Sequence, residues 1–140
     1  MKLNISEKSG ATHVAEIDAG KASALFGKKI GDEIDGELIG AAGYALKITG
    51  GSDTSGFPMR PDVPGTARKS VLLSSGPGIR KGRKGERRRK SVRGNTVSAE
   101  ISQLNLVVVK EGAQKLAELF PKKEGAEKKK EEKPAPKKKK

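Results

Sequence analysis

The residues whose chemistry stands out are the arginines and lysines between Gly78 and Gly94, in the sequence GIRKGRKGERRRKSVRG. Nine of these seventeen residues are cationic and only Glu86 is acidic. Like charges repel one another until a polyanion neutralises them, and guanidinium groups bind phosphate in a bidentate geometry. This stretch, called the basic arm below, therefore predicts contact with nucleic-acid phosphates. Its cations are Arg80, Lys81, Arg83, Lys84, Arg87, Arg88, Arg89, Lys90 and Arg93.

The net charge of +13 is unevenly distributed along the chain. Residues 1–56 hold 6 basic and 8 acidic residues, residues 57–99 hold 12 and 2, and residues 100–140 hold 12 and 7. Such polarity indicates an anionic partner that binds one part of the surface. Arg60, Arg68 and Lys69 belong to the same basic segment, and we expect them to flank the arm as further RNA contacts.

The number of aromatic side chains indicates which kind of nucleic acid the arm would bind. The chain has one tyrosine, three phenylalanines and no tryptophan, and none of these lies in the arm. Proteins that read single strands usually stack the bases on aromatic rings. The sequence therefore predicts recognition of RNA shape through phosphate and 2′-hydroxyl contacts, with little reading of base sequence.

Other kinds of site have little support in the residues. The chain has no cysteine and a single histidine, His13, without neighbouring metal ligands. The acidic residues between 32 and 37 lack the spacing of a calcium loop, and Gly50–Gly56 lacks the lysine of a phosphate-binding P-loop. We expect no catalytic residue, metal, cofactor or small-molecule substrate, and Gly50–Gly56 is interpreted as a turn.

The elements that must position the arm are mostly short strands separated by glycine-rich turns. They predict a mainly β fold, a small β-barrel of about six short strands with two short helices, from which the arm extends as a loop. The expected strands are residues 2–6, 12–17, 44–49, 69–74 and 103–110, with 90–93 pairing with 95–98; the expected helices are 20–26 and 111–120.

The chain is expected to form one domain, residues 1–120, that carries the arm at 78–94. Residues 121–140 contain only Lys, Glu, Gly, Ala and Pro, so they cannot offset their ordering entropy by apolar burial. This segment is predicted to be a disordered tail. The sequence shows neither a signal peptide nor a membrane span, which favours a cytoplasmic protein.

Three stretches in order resemble a known family. ALKITGGSDTSGFPM (45–59), GERRRKSVRG (85–94) and SQLNLVVVK (102–110) are similar to the eukaryotic-type small-subunit ribosomal protein six, the S-six-e family of archaea and eukaryotes. The opening MKLNIS also looks like the start of that family. The resemblance implies a small β-barrel with a structural role on small-subunit ribosomal RNA, and the Lys/Glu/Pro tail predicts the short archaeal form.

The predicted function is that of a structural constituent of the small ribosomal subunit. Its partners would be small-subunit ribosomal RNA and neighbouring ribosomal proteins, with no membrane and no homo-oligomer. A nonspecific DNA-compacting or chromatin-type protein is the main alternative, because phosphate contacts serve both. An RNA-modifying enzyme and a regulator that leaves and rejoins the ribosome are the other hypotheses.

Overall fold

A computed structural model describes residues 1–79, 85–112 and 114–120 of the chain. The protein is mainly β, as its alternating sequence predicts. The strands are β1 (Lys2–Ser6), β2 (Thr12–Glu16), β3 (Glu33–Asp35), β4 (Ala45–Asp53), β5 (Arg68–Leu73), β6 (Arg88–Arg93) and β7 (Ile101–Lys110). The helices are α1 (Ala19–Ala22) and α2 (Leu116–Leu119), and 3-10 turns cover Ser23–Leu25 and Gly36–Ile39.

Five strands form the main sheet in the order β2-β1-β7-β4-β3. The central strand β7 runs parallel to β1 and antiparallel to β4. Its alternation places Leu104, Leu106 and Val108 on one face, where each is at most 2% exposed. Strand β1 adds Leu3 and Ile5 to the same core. Period-two alternation therefore creates one buried face, and this face holds the sheet together.

The predicted closure into a barrel is not found in the part of the chain that the structure describes. Strands β2 and β3 remain the two edges of the sheet, and no ladder joins them. Strands β5 and β6 pair only with each other, as a two-stranded ribbon. The ribbon meets the rest of the fold through short links, one of which is the bridge from Met59 to Arg93. The chain thus forms an open sheet with an attached ribbon.

The ribbon changes the interpretation of the basic arm. Residues 88–93 are a strand that pairs with β5 from Arg68↔Arg93 to Leu73↔Arg88, whereas the sequence predicted pairing with residues 95–98. A second, smaller core of Val63, Leu73 and Val92 lies under one ribbon face. Burial of this small core determines which strand β6 pairs with, and the alternation of residues within β6 alone does not reveal that partner. The carboxyl-terminal half of the arm is therefore ordered.

Strand β4 extends four residues beyond its predicted end and runs through Gly50 and Gly51 to Asp53. A register shift against β7 lies between Ile48 and Gly50. A Cβ at Gly51 would lie 2.5 Å from the Gln103 carbonyl oxygen, so glycine here permits close strand approach and does not end the strand.

Both helices are shorter than predicted. Helix α1 covers only four residues before the 3-10 turn, and α2 begins at Leu116, after the extended backbone of Lys115. Ala113, which belongs to the predicted second helix, lies outside the described residues. In the described ranges, no helix has both the length and the apolar character to cross a membrane.

Candidate nucleic-acid interface

The β5–β6 ribbon has two faces with different surroundings. Residues directly opposite in an antiparallel pair share a face, and side chains alternate along each strand. One face carries the pairs Lys69–Val92, Val71–Lys90 and Leu73–Arg88, which cover the small core at Val63. The other face carries Arg68–Arg93, Ser70–Ser91 and Leu72–Arg89. We call this second face the outer face of the ribbon.

Four predicted contact residues lie together at the far end of the ribbon. Arg87, Arg88, Arg89 and Lys90 are all exposed. Arg88 is held by Glu86, with 2.6 Å from its Nε to the Glu86 carboxylate. Among the described residues, the other three make no ion pair with an acidic side chain. Arg87, Arg89 and Lys90 are therefore available to an external anion.

Arg80, Lys81, Arg83 and Lys84 lie outside the described residues. Their flanks are described on both sides: Ile79 packs against the Val63 cluster, and Gly85 leads into β6. The described residues on either side of these four cations are therefore both close to the ribbon.

Arg93 has a different environment from the other arm cations. Its side chain is 5% exposed, and its Nη1 lies 2.9 Å from Oδ2 of Asp53, whose side chain is fully buried. Nη1 also donates to the Glu100 carboxylate, and Nη2 donates to Ser98 Oγ at 3.2 Å. The geometry opposes the prediction that Arg93 contacts RNA, because its guanidinium is buried against acidic partners.

Arg68 shares the same carboxylate from the solvent side. Its Nε donates to Asp53 Oδ2 at 2.6 Å, and its Nη2 donates to Ser55 Oγ at 2.9 Å. Its guanidinium carbon lies 5.1 Å from the centre of the Phe57 ring. The side chain remains 40% exposed. Arg68 can therefore face an external anion while it remains bound to Asp53.

Asp53 is ionised because of these neighbours. The hydrogen bond from Arg68 holds the pKa of its carboxyl well below the usual range, and Thr54 Oγ1, which donates at 2.9 Å, acts in the same direction. Burial opposes this shift by disfavouring the charged form, but the paired cations outweigh it. A buried ionised carboxylate thus joins β4 to both strands of the ribbon.

Arg60 binds the segment 75–77 that leads into the arm, called the base of the arm below. Its Nη1 donates to the carbonyl oxygens of Ser75 and Pro77 at 3.3 and 3.1 Å, and its Nη2 donates to Asp62 at 2.6 Å. Only 11% of this side chain is exposed. The geometry opposes the predicted RNA contact at Arg60, because three protein oxygens bind its Nη1 and Nη2 groups and little of the side chain is exposed.

Lys69, which the sequence predicts to flank the arm, is exposed. It lies in β5 beside Val92, and its Nζ donates a long hydrogen bond of 3.4 Å to the Pro64 carbonyl. This single weak contact leaves donors of the ammonium group available. Lys69 is therefore placed to flank the exposed arm cations.

Asp53 is the residue that sequence reasoning missed. The glycine-rich surroundings led to its interpretation as part of a turn, yet it ends β4 and is 2% exposed. One signal was present, because Asp53 is the single carboxylate between Glu37 and Asp62, immediately ahead of the basic segment. An isolated acid beside many cations is a candidate for a buried pair.

Comparison with known proteins assigns the family. The model of the family described as ribosomal protein S6e matches residues 1–121. Two proteins named small ribosomal subunit protein eS6 illustrate the similarity. The one from Methanothermobacter thermautotrophicus is 50% identical over 119 residues, covering 85% of this chain and 94% of the relative. The one from Archaeoglobus fulgidus is 50% identical over 118 residues, covering 84% and 92%.

The matched region covers both parts of the structure described above. It includes the main sheet, the ribbon and the ion pair between Asp53 and Arg93. The resemblance inferred from three short stretches is thereby confirmed over most of the chain's length. An open sheet carrying a cationic two-stranded ribbon is thus the form taken here by a member of a ribosomal, non-enzymatic family: the chain belongs to the ribosomal protein S6e family.

Proposed function

We propose that this chain is a structural constituent of the small ribosomal subunit that binds small-subunit ribosomal RNA through phosphate contacts from the ribbon and the basic arm. The observation that carries this proposal is the exposed group Arg87, Arg89 and Lys90, which lies at the end of an ordered ribbon without acidic partners among the described residues. Cations held on an ordered scaffold lose less entropy on binding than cations on a free chain.

The contact set differs from the sequence prediction in two places. Arg87, Arg88, Arg89 and Lys90 would be the main contacts, with Lys69 and the exposed side of Arg68 flanking them. Arg80, Lys81, Arg83 and Lys84 would extend the interface. Arg60 and Arg93 would support it from within the protein, because acidic or carbonyl oxygens bind both guanidinium groups.

The remaining expectations follow from this role. The protein would act in the cytoplasm as part of the ribosome, against ribosomal RNA and neighbouring ribosomal proteins, and would support subunit assembly and translation. It would need no cofactor, membrane, small-molecule substrate or second copy of itself. Residues 1–120 would form the binding domain with the arm at 78–94, and residues 121–140 would add diffuse electrostatic attraction.

Salt dependence of binding tests the proposal directly. If five to eight phosphates are neutralised, the logarithm of the binding constant should fall with the logarithm of salt concentration at a slope of roughly −4 to −7. The measurement uses the full chain and a folded archaeal small-subunit ribosomal RNA. A slope near zero would reject phosphate binding. Sedimentation of an archaeal lysate provides a second check, because the chain should travel with the small subunit.

DNA compaction remains the second candidate, because the scarcity of aromatic residues leaves mainly backbone contacts, which duplex DNA also offers. At equal salt, a DNA-compacting protein would bind duplex DNA and folded ribosomal RNA with similar affinity. The ribosomal role predicts tighter binding to the folded RNA. Competition between the two nucleic acids on one sample of protein separates these outcomes.

A further inference from the structure

The far end of the outer face combines residue types that a simple phosphate-binding surface does not need. Leu72 is 53% exposed and lies directly opposite Arg89. One pair closer to the body, Ser70 and Ser91 are both exposed, and their hydroxyl oxygens lie 3.3 Å apart. An exposed leucine beside two small hydroxyl residues has no role in the small core, which lies on the opposite face.

The charge around this patch points to a polyanion as its occupant. Neither β5 nor β6 contains an acidic residue, and six of their twelve residues are cationic. Arg68 and Arg93 bind Asp53 and Arg88 binds Glu86, so the other three remain for an external anion. Arg89 makes no ion pair among the described residues. A patch that also carries an apolar and two hydroxyl side chains fits a polyanion whose surface includes sugars as well as phosphates.

RNA duplexes offer such a surface in their wide, shallow minor groove, which displays the 2′-hydroxyls of the riboses beside the base edges. A hydroxyl side chain can both donate to and accept from a 2′-hydroxyl, and its small size lets the strand backbone approach the groove. The two strands lie about 4.8 Å apart, so the ribbon presents a narrow surface that can cross a shallow groove. The leucine would contact a ribose.

We propose that the outer face of the ribbon, through Ser70, Leu72, Arg89 and Ser91, docks in the minor groove of an RNA helix and distinguishes RNA from DNA through the 2′-hydroxyls. The inference rests on the proposed function and makes it more specific. Arg89 binds a phosphate at the groove edge, the serines bind 2′-hydroxyls, and Leu72 packs on a sugar. On a single RNA helix the opposite face, which includes Arg88 and Lys90, contributes only longer-range attraction. Its cations contact phosphates of other segments when the RNA is the folded ribosomal RNA.

The experiment compares variants of the full chain on an RNA duplex and on a DNA duplex of the same sequence and length. The serine double variant, Ser70→Ala with Ser91→Ala, should lower RNA affinity by about tenfold and leave DNA affinity unchanged. Leu72→Glu should also lower RNA affinity by at least about tenfold. Its matched control is Val14→Glu, which adds the same charge at an apolar residue of β2 that is 58% exposed.

The two cationic faces are compared in the same assay. Arg89→Gln should reduce the magnitude of the salt slope on RNA by about one, and Lys90→Gln, on the opposite face, should reduce it by less. All substituted residues are exposed, and unchanged thermal melting verifies that each variant folds.

The outcomes separate this inference from the proposed function. Strong, salt-dependent RNA binding that the serine and leucine variants leave unchanged would overturn the inference and leave the ribosomal role standing. Absence of salt-dependent RNA binding by the unmodified chain would overturn both. If Leu72→Glu leaves RNA binding intact but prevents incorporation into the subunit, a protein occupies the patch and the RNA-groove proposal is wrong.

Discussion

Arg93 and Asp53, each the last residue of its strand, meet with 2.9 Å between Nη1 and Oδ2, and both side chains are buried. Forty positions separate them in the chain. The pair joins the ribbon to the main sheet, and Arg68 adds a second hydrogen bond to the same carboxylate oxygen. A cation from the basic arm therefore sets the position from which the other arm cations project.

The pair is expected to stabilise the fold strongly. Asp53→Asn should lower the free energy of unfolding by about 3–5 kcal/mol, because it removes the buried carboxylate that Arg68 and Arg93 share and leaves Arg93 only the exposed Glu100 as an acidic partner. Urea unfolding at neutral pH measures the loss. The control is Asp62→Asn, which removes an exposed partner of Arg60 and should cost at most about 1 kcal/mol. Equal losses in the two variants would contradict the assigned importance of Asp53.

The same carboxyl predicts acid sensitivity. The pKa of Asp53 is lowered from its usual 3.8 in the folded protein, so the unfolded chain binds the proton more tightly. The stabilisation is complete well above pH 3.8 and is lost as pH falls through and below that value. Urea midpoints measured as pH falls toward 3 should decline steeply for the unmodified chain and less steeply for Asp53→Asn. Parallel curves would show that another group controls acid unfolding.

Arg87, Arg88 and Arg89 should matter for binding and little for folding. Replacing all three with alanine should leave the melting temperature nearly unchanged, because all three are exposed. The magnitude of the salt slope on ribosomal RNA should fall by about three, and incorporation into small subunits should weaken. A large fall in melting temperature would mean that these side chains serve the fold. Arg93→Ala is the comparison, since it should destabilise the protein instead.

Arg60 should act by positioning the arm. Arg60→Ala removes the hydrogen bonds to the Ser75 and Pro77 carbonyls, so the base of the arm loses order and RNA affinity should fall by several-fold. The salt slope should stay unchanged, because no phosphate contact is lost. Binding measured across salt concentrations gives both quantities. A slope reduced by about one, as expected for Arg89→Gln, would make Arg60 a direct phosphate contact.

Gly94 should tolerate no side chain. An added Cβ would collide with the Gly65 carbonyl oxygen, where the chain after β6 passes the loop before β5. Gly94→Ala should therefore destabilise the protein by about 1–3 kcal/mol, measured by urea unfolding. Gly50→Ala is the matched control, because no atom lies within 4 Å of its added Cβ, and its stability should change by less than about 1 kcal/mol. Equal changes in the free energy of unfolding for the two variants would show that the loop at Gly65 moves to accommodate the added Cβ.

Features that depend on local alternation were predictable. Strand β1 has its predicted bounds, and β2 and β7 lie close to theirs, because apolar residues at every second position mark a strand with one buried face. The longer β4 was not predictable, since Gly51 supports the strand only through its close approach to Gln103. Whether the sheet closes into a barrel was also not predictable. Closure would require β2 and β3 to pair at the edges of the sheet, and the sequence of neither strand indicates whether they pair.

The sequence by itself determined the chemistry of this protein: a charge concentrated in residues 57–99, too few aromatics for base stacking, and motifs specific enough to indicate the family. Only the tertiary structure decided which cations face solvent. Arg89 and Arg93 belong to the same strand and the same ribbon face, yet one is exposed and the other is 4% exposed beside Asp53. The physical reason is that the charge of a side chain is set by its residue type, whereas its burial and its acidic partners depend on which other residues the fold places beside it.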